Sequence, residues 1–331
     1  MKHEHIQYLV CPQCSGSLEL QHPHYEGDSI EKGELHCAHC HQIYEIVRHI
    51  PRFVPETNYA ASFGFEWITH SHTQYDSHTG THISEERFFK ETLWSRHLHD
   101  QTILEVGCGS GRFTEQAAST GAMVVSMDLS CAVDANYLYN GHNHNVCIVQ
   151  ADIYSMPFPK DFFDKLFCFG VLQHTPDVER AFLNLPQYIK KGGSLVADFY
   201  RYEWWRYFLV TRYWIRPFTK RLPPERLYRL CANYINFVWP LARLINKLPK
   251  GRYLNRALLI SDHGGVLPLS DELLREWAIL ETFDGLSPAY DNPQSIETVE
   301  KWFKKGGLTD IDVTYGYNGI VGRGKKYSHI L

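Results

Sequence analysis

Residues 104–112, LEVGCGSGR, run from an apolar segment into three glycines spaced two apart. Glycine has no Cβ, so Gly107, Gly109 and Gly111 let the chain take positive φ and let a ligand touch the main chain itself. The pattern is E-x-G-x-G-x-G. It departs from the dinucleotide spacing G-x-G-x-x-G, whose third glycine would stand where this chain has Arg112. Seventeen residues past Gly111, the run AMVVSMD ends in Asp128. An acid at the tip of a second strand can accept both hydroxyls of a ribose. The run VCIVQAD ends in Asp152, followed by Ile153. An acid there can accept from an exocyclic amine, and its neighbour can add backbone and apolar contact. A nucleoside with a free ribose and a short charged tail fits this set, with no need of a pyrophosphate.

The surroundings alternate in the way such a loop requires. TILEV (102–106), AMVVSMD (122–128), VCIVQAD (146–152), DKLFCFGV (164–171) and SLVADFY (194–200) read as strands. Helices are predicted from Arg112 to about Thr120, from the 130s through Tyr139, and from Asp177 to Ile189. Apolar strands alternating with helices imply an α/β fold with a mostly parallel sheet covered on both faces. Further helices are expected near 270–282 and 294–305. LTDIDVTYG and GIVGRGKK then close the sheet as an antiparallel hairpin. Five regions follow: 1–56, with paired cysteines; 57–100, a lid or linker with the amphipathic helix ISEERFFKETLWSRHL; 101–200, the ligand-binding core; 201–268, a basic aromatic helical insert; and 269–331, the completion of the core. A chain of 331 residues, 44 % apolar, is long enough for one large core and a small satellite.

These residues resemble the S-adenosylmethionine-dependent methyltransferases with a Rossmann-like, doubly wound sheet. The resemblance is close over about 100–200 and loose over 295–324. LEVGCGSGR is similar to the family's first motif, MDLS to the second, QADIYSMPF to the third, CFGVLQHTPD to the fourth-strand motif and KKGGSLVADF to the fifth. It implies that Glu105, Gly107, Cys108 and Gly109 line the methionine part of S-adenosyl-L-methionine, with Gly111 closing the loop. Asp128, followed by Leu129, would hold the ribose, and Asp152 and Ile153 the adenine. Phe169 and Gly170 would stand where the fourth strand meets the methyl group. His174 would touch the cofactor carboxylate or serve as general base. Methylation of planar amines in this fold usually goes with an Asn/Asp-Pro-Pro-aromatic motif after the fourth strand. Here that position reads FGVLQH, which favours a hydroxyl, an activated carbon or another small acceptor.

Near the start, IQYLVCPQCSGSLEL and GELHCAHCHQIYEIVRHIPRFVP place Cys11 and Cys14 before Cys37 and Cys40, with 22 residues between the pairs. Two C-x2-C knuckles suit tetrahedral Zn²⁺ held by four thiolates, a closed and therefore structural site. A replacement of one ligand by His36, His39 or His41 stays open. The long gap predicts a hairpin with an excursion around HPHYEGDSIEKG. The segment resembles the small zinc-ribbon proteins that partner and activate methyltransferases acting on tRNA, rRNA and release factors. That family generally has Asp-Gly before the Ile-Pro, where this chain has Arg48-His49. Fusion in one chain suggests a ribbon packed on its own catalytic domain. The other five cysteines are scattered through apolar stretches, which fits buried free thiols rather than a disulfide framework.

Charge is segregated. Residues 201–256 hold 13 Lys/Arg, 2 Asp/Glu and 13 aromatics, a net +11 in a chain whose total is −4. Such a segment can cap the active site, lie on an anionic membrane surface or bind nucleic acid by charge and stacking. SFGFEW (62–67) and ETFDGLSPAYDNPQS (281–295) resemble stretches in methyltransferases of polysaccharide and specialised-metabolite biosynthesis. Trp67 is expected in a lid over the cofactor, and Asp284 and Tyr290 in a Pro-rich loop, as acceptor contacts. The main expectation is methyl transfer to a small-molecule, glycan or lipid-linked acceptor, at oxygen or carbon. The alternatives are an RNA or translation-factor methyltransferase and a non-catalytic cofactor-binding scaffold. The opening residues show neither a basic head nor a long apolar run, so a cytoplasmic protein is expected, with peripheral membrane contact through 201–256 left open.

Overall fold

A computed structural model of the chain describes residues 1–55, 58–205, 208 and 210–327. Glu56 and Thr57, at the expected ribbon–linker junction, lie outside the described residues, as do Arg206, Tyr207 and Leu209 of the insert and the last four residues.

One 11-stranded sheet runs through the molecule in the order β1-β2-β3-β4-β7-β6-β5-β8-β9-β11-β10. Its centre consists of β5 (Thr102–Val106), β6 (Met123–Asp128), β7 (Val146–Gln150), β8 (Phe163–Cys168) and β9 (Ile189–Phe199), all paired in parallel. The alternate residues of these strands feed two separate cores. Leu104, Val125, Val149, Leu166 and Leu195 face one side; Ile103, Val124, Ile148, Phe167 and Val196 face the other. This two-sided burial is why the strands read as unbroken apolar runs. The hairpin of β10 (Leu308–Gly316) and β11 (Gly319–Lys326) closes the sheet, with β11 antiparallel to β9.

The other edge belongs to the cysteine segment. β1 (Leu18–Glu26), β2 (Ser29–Cys37), β3 (Ile43–Val47) and β4 (Ile50–Arg52) form an antiparallel meander. The expected excursion is a register shift between Gln21 and His24. β4 then joins β7 in parallel through Arg52 and Gln150. Leu9, Ile30, Leu35 and Ile46 belong to the same apolar cluster as the central strands. Arg48 and Arg52 both reach Asp134, and His49 stacks on Tyr137 at 4.8 Å. The ribbon is thus packed on its own core.

Two helices are shorter than their patterns suggest. The helix expected over ISEERFFKETLWSRHL spans only Ile83–Thr92, ending at Leu93 with φ +56°. The next residue, Trp94, turns in against Phe88 and Phe167, so tertiary packing overrides the helical periodicity. The helix expected to reach Ile189 spans Val178–Asn184 and gives way to a 3₁₀ turn containing Pro186, which has no N–H to donate.

Among the described residues the α-helices are, in chain order, α1 (Ala61–Thr69), α2 (Asp76–Thr79), α3 (Ile83–Thr92), α4 (Arg112–Ala118), α5 (Val133–Asn140), α6 (Val178–Asn184), α7 (Arg212–Thr219), α8 (Pro224–Asn246), α9 (Gly251–Ala257), α10 (Asp271–Leu286) and α11 (Ile296–Lys305). Ser270 and Ser295 cap α10 and α11 by accepting from Leu273 and Thr298 N–H. The basic insert is helical. Ile235, Trp239 and Ala242 of α8 pack on Leu274 and Ala278 of α10. This layer sits over the carboxyl ends of the central strands, where ligands of open α/β sheets bind. Among the described residues no helix is long and apolar enough to cross a membrane.

Candidate functional site

Main-chain geometry builds the first half of the site. The N–H groups of Gly107 and Cys108 both donate to the Met127 carbonyl, at 2.7 and 2.9 Å. Gly109 N–H donates to Asp128 Oδ2 at 2.9 Å, while Asp128 Oδ1 accepts from Ser130 N–H at 2.8 Å and Ser130 Oγ at 2.7 Å. The carboxylate at the tip of β6 therefore ties down the loop after β5. Gly107 has φ +83°, and a Cβ there would lie 2.0 Å from Val171 Cγ2. Only glycine leaves room for the main chain to line a hollow at this point. Burial raises the Asp128 carboxyl, and hydrogen bonds from Ser130 and Gly109 oppose the rise.

The hollow is a cavity of about 740 Å³. Gly107, Cys108, Gly109, Asp128, Leu129, Ile153, Phe169, Gly170, His174, Trp67 and Asp284, all singled out in the sequence, line it together. Gly170 is held in place by its N–H donating to Asp198 Oδ1 at 2.6 Å. Arg87 binds the other oxygen of that carboxylate and locks the ends of β8 and β9 to α3. Trp67 of α1 lies over the loop, with Nε1 3.2 Å from where a Gly109 Cβ would be.

Four expected residues do not line the cavity. Glu105 is 1 % exposed and points into the core, accepting from Thr114 Oγ1 and from Ser126 Oγ at 2.7 Å. Burial pushes its carboxyl up to about 7, against those two hydrogen bonds. Gly111 packs on α5, where a Cβ would meet Asn136 Oδ1 at 2.1 Å. Asp152 stands outside the lining, its Oδ1 accepting from the Tyr154 N–H at 3.0 Å. Tyr290 turns its ring edge-on to Tyr59, 5.8 Å between centroids, and offers the site only its carbonyl. Asp284 lines the cavity but does not lie in the Pro-rich loop. It is on the last turn of α10, because the apolar spacing of that helix continues through Phe283 and Leu286.

His174 closes a 3₁₀ turn after β8 and is wedged between Phe63 and Tyr200. Its Nδ1 lies 3.0 Å from the Tyr290 carbonyl. A carbonyl only accepts, so in the neutral ring Nδ1 carries the hydrogen and Nε2 is left as an acceptor.

Sequence reasoning missed the rest of the lining. Glu66, Tyr200, Arg212, Trp277 and Glu281 complete the far half. One signal was readable for Glu66: it stands three residues after Phe63, at same-face helical spacing, an acid beside an apolar ring. Arg212 gave no such signal, because its place depends on how α7 docks.

In the ribbon, the Sγ atoms of Cys11, Cys14, Cys37 and Cys40 lie within 4.8 Å of one another. The Cys11–Cys40 and Cys14–Cys37 separations are 3.5 and 3.4 Å. A tetrahedral Zn²⁺ with bonds of about 2.3 Å requires sulfurs about 3.8 Å apart, so the four thiols fit such an ion with a small outward movement. No histidine joins this group among the described residues.

Residues 104–197 match the family model of the methyltransferase domain, and residues 2–48 match that of Trm112p-like protein. The tRNA U34 carboxymethyltransferase of Shewanella sp. (strain ANA-3) is 34 % identical over 130 residues, 36 % of this chain and 39 % of that protein. The enzyme of the same name from Shewanella loihica is 33 % identical over 135 residues, 38 % of this chain and 40 % of that protein. The chain thus spans about two fifths of the length of these curated relatives. Among solved structures, the complex between the Haloferax volcanii Trm112 methyltransferase activator and a putative methyltransferase superposes with a TM-score of 0.45 at 11 % identity, covering 81 % of this chain and 98 % of that one. A putative S-adenosyl-L-methionine-dependent methyltransferase from Methanococcus maripaludis gives 0.45 at 14 %, covering 84 % and 99 %. The names of the curated relatives correct the sequence-based expectation of a small-molecule, glycan or lipid-linked acceptor with peripheral membrane contact, since both are named for tRNA. The chain carries a methyltransferase domain joined to a Trm112p-like ribbon, on one mixed sheet.

Proposed function

We propose that the protein is an S-adenosylmethionine-dependent methyltransferase that modifies RNA, with Zn²⁺ bound structurally in the ribbon. The observation that carries the acceptor is the likeness to the tRNA U34 carboxymethyltransferases. The insert supports it: Trp204, Trp214, Phe218 and Tyr253 are exposed on a segment of strongly positive charge, the combination that holds nucleic acid by phosphate contact and base stacking. An RNA acceptor also suits a cytoplasmic location, which is part of this reading.

On this reading the cofactor lies along the glycine loop. Gly107, Cys108 and Gly109 receive its methionine part, Asp128 its ribose, and Ile153 its adenine. The bare loop under Trp67 and the carboxylate at the strand tip fit such a group. When bound, the sulfonium supplies an electrophilic carbon with a good leaving group. The chain's task is then to position the acceptor, exclude water and take up a proton. Phe169 and Gly170, in the lining just after β8, stand beside the methyl group. His174 Nε2, left as an acceptor, is the proton acceptor. Asp284 contacts the acceptor.

The experiment is isothermal calorimetry with S-adenosylmethionine on zinc-loaded protein, followed by tritium-methyl labelling of total cellular RNA. Saturable cofactor binding, label in RNA and an RNA affinity that falls steeply with salt are expected. No cofactor binding ends the enzyme reading. Binding without label in RNA ends the acceptor reading.

A further inference from the structure

Helix α8 is apolar on two sides, and only one of them is buried. Leu227, Cys231, Ile235, Trp239 and Ala242 form the buried side, turned to the insert's own core. Leu230, Tyr234, Phe237, Leu241 and Leu244 form a second stripe beside it, and Leu248 continues it on the turn that follows; all six face solvent. Phe237 is 86 % exposed. Even Tyr234, whose hydroxyl donates to the Leu258 carbonyl just past α9, is 37 % exposed. Single exposed apolar residues are ordinary on a protein surface. A contiguous run of six on one helix marks an interaction surface.

The spacing of the open stripe says what covers it. Its residues recur four and three positions apart in turn, an average of 3.5. That is the seam along which one α-helix seats its side chains between those of another. From Leu230 to Ala242 the helix carries no charged residue, although the insert around it is strongly cationic. Missing charge with an aromatic at the centre is the composition of an interface core. Arg243, the next cation along the helix, is already paired with Asp262 and Asp271 of its own chain. A leucine offers a phosphate no charge and a base no flat face, so the stripe does not suit nucleic acid.

We propose that α8 pairs antiparallel with α8 of a second copy of this chain, giving a symmetric dimer. An antiparallel seam sets one register of the repeat against the other, and this stripe does so with itself. Phe237 meets Leu241 of the partner subunit, Tyr234 meets Leu244 of the partner subunit, and Leu230 meets Leu248 of the partner subunit. A ring thus lies against a smaller side chain at the two central levels. Lys247, at the flank, falls beside Asn233 of the partner subunit, so no like charges are opposed between Leu230 and Leu244. The contact is isologous and closes on itself. The six side chains expose roughly 700 Å² per copy, about 1,400 Å² for the pair, which reaches the size of a stable interface. The pairing joins two molecules through the layer that covers each cavity, and it is independent of what the acceptor is.

Sedimentation velocity of the full-length, zinc-loaded protein over a concentration series is the test. Wild type is expected to sediment as a dimer at micromolar concentration and to keep that association when salt is raised, because the seam is apolar. Phe237→Glu and Leu241→Lys should each weaken the dimer by about a hundredfold or more, since each change falls twice in the symmetric seam. Both should leave helical circular dichroism unchanged and S-adenosylmethionine affinity within twofold. An equimolar mixture of the two should dimerise again, because it sets the new carboxylate against the new ammonium. Asn236→Asp, off the stripe, should leave the dimer intact. Wild type that stays monomeric at high micromolar concentration overturns the proposal. So does a dimer of unchanged strength in folded Phe237→Glu, or failure of the mixture to recover when both variants are monomeric. Monomeric wild type whose binding to RNA, or to anionic phospholipid vesicles, is lost in Phe237→Glu overturns it as well and gives the stripe to that partner.

Discussion

At the glycine-loop end of the cavity the ligand-facing surface is main chain, held by carbonyls and one carboxylate within the span 105–130. At the other end it is side chains from α1, α7 and α10, drawn from a span of more than 200 positions in sequence. The first end is rigid and satisfied: each of the loop N–H groups of Gly107, Cys108 and Gly109 has a partner. The second is held by long-range pairs and leaves several groups unpaired. A nucleoside cofactor common to many enzymes needs only the first kind of surface. Discrimination among acceptors needs the second.

The sharpest way to break this contrast is Arg216→Ala. Arg216 and Asp291 are a buried pair, 11 % and 4 % exposed, that ties α7 to the segment after α10. Stranding Asp291 should destabilise the protein by about 3–5 kcal/mol in urea unfolding, and hydrogen exchange should locate the loosening in 210–295 rather than in 102–130. Uniform loosening would show that the two ends are one unit. At the other end, Gly107→Ala forces a Cβ into Val171 at positive φ. Left-handed strain and overpacking together predict a cost of about 3–4 kcal/mol, with cofactor affinity falling and acceptor-side exchange unchanged; retained affinity would mean that the main chain there is not the ligand surface.

Glu105 sharpens the comparison through pH. In the unfolded chain its proton leaves near the ordinary carboxylate value, whereas in the folded chain burial holds it to about 7. Between those values the folded state binds more protons, so stability falls as pH rises through that window and levels off above it. The total is on the order of 3 kcal/mol. Glu105→Gln should flatten that part of the stability profile, and a profile identical to wild type would count against a neutral Glu105. The smallest expected effect is Asp128→Ala. Losing the carboxylate that ties down the loop and is proposed to hold the ribose should weaken S-adenosylmethionine by about 1.5–3 kcal/mol, the scale of hydrogen bonds to charged groups, as read by calorimetry. Unchanged binding would separate the β6 tip from the cofactor.

The same contrast explains what could be read in advance. The loop, Asp128, Ile153 and the four cysteines follow from local spacing, because each depends on a turn or strand end within a few residues. The five central strands and the closing hairpin were legible for a related reason: burial on both faces leaves unbroken apolar runs. Helix ends were less so, since Trp94 and Pro186 act through tertiary packing and a missing donor. Glu105 looked like a ligand contact by position, yet its side chain alternates to the core side of β5 beside Thr114 and Ser126. Arg212 was invisible because nothing local fixes how α7 meets α10, and Glu66 showed only as an acid on the apolar face of α1. Asp284 was found for the right residue but the wrong element. The acceptor class was misjudged because a basic aromatic insert suits a cap, a membrane surface and nucleic acid alike.

The junction between β4 and β7 has a further consequence. A central strand such as β7 is largely apolar and fully buried, and with its outer rim uncovered it would offer unpaired amides to any passing chain. The metal module shields that rim. Stripping the zinc should therefore show first as clumping and loss of soluble protein, before any change at the distant glycines is felt.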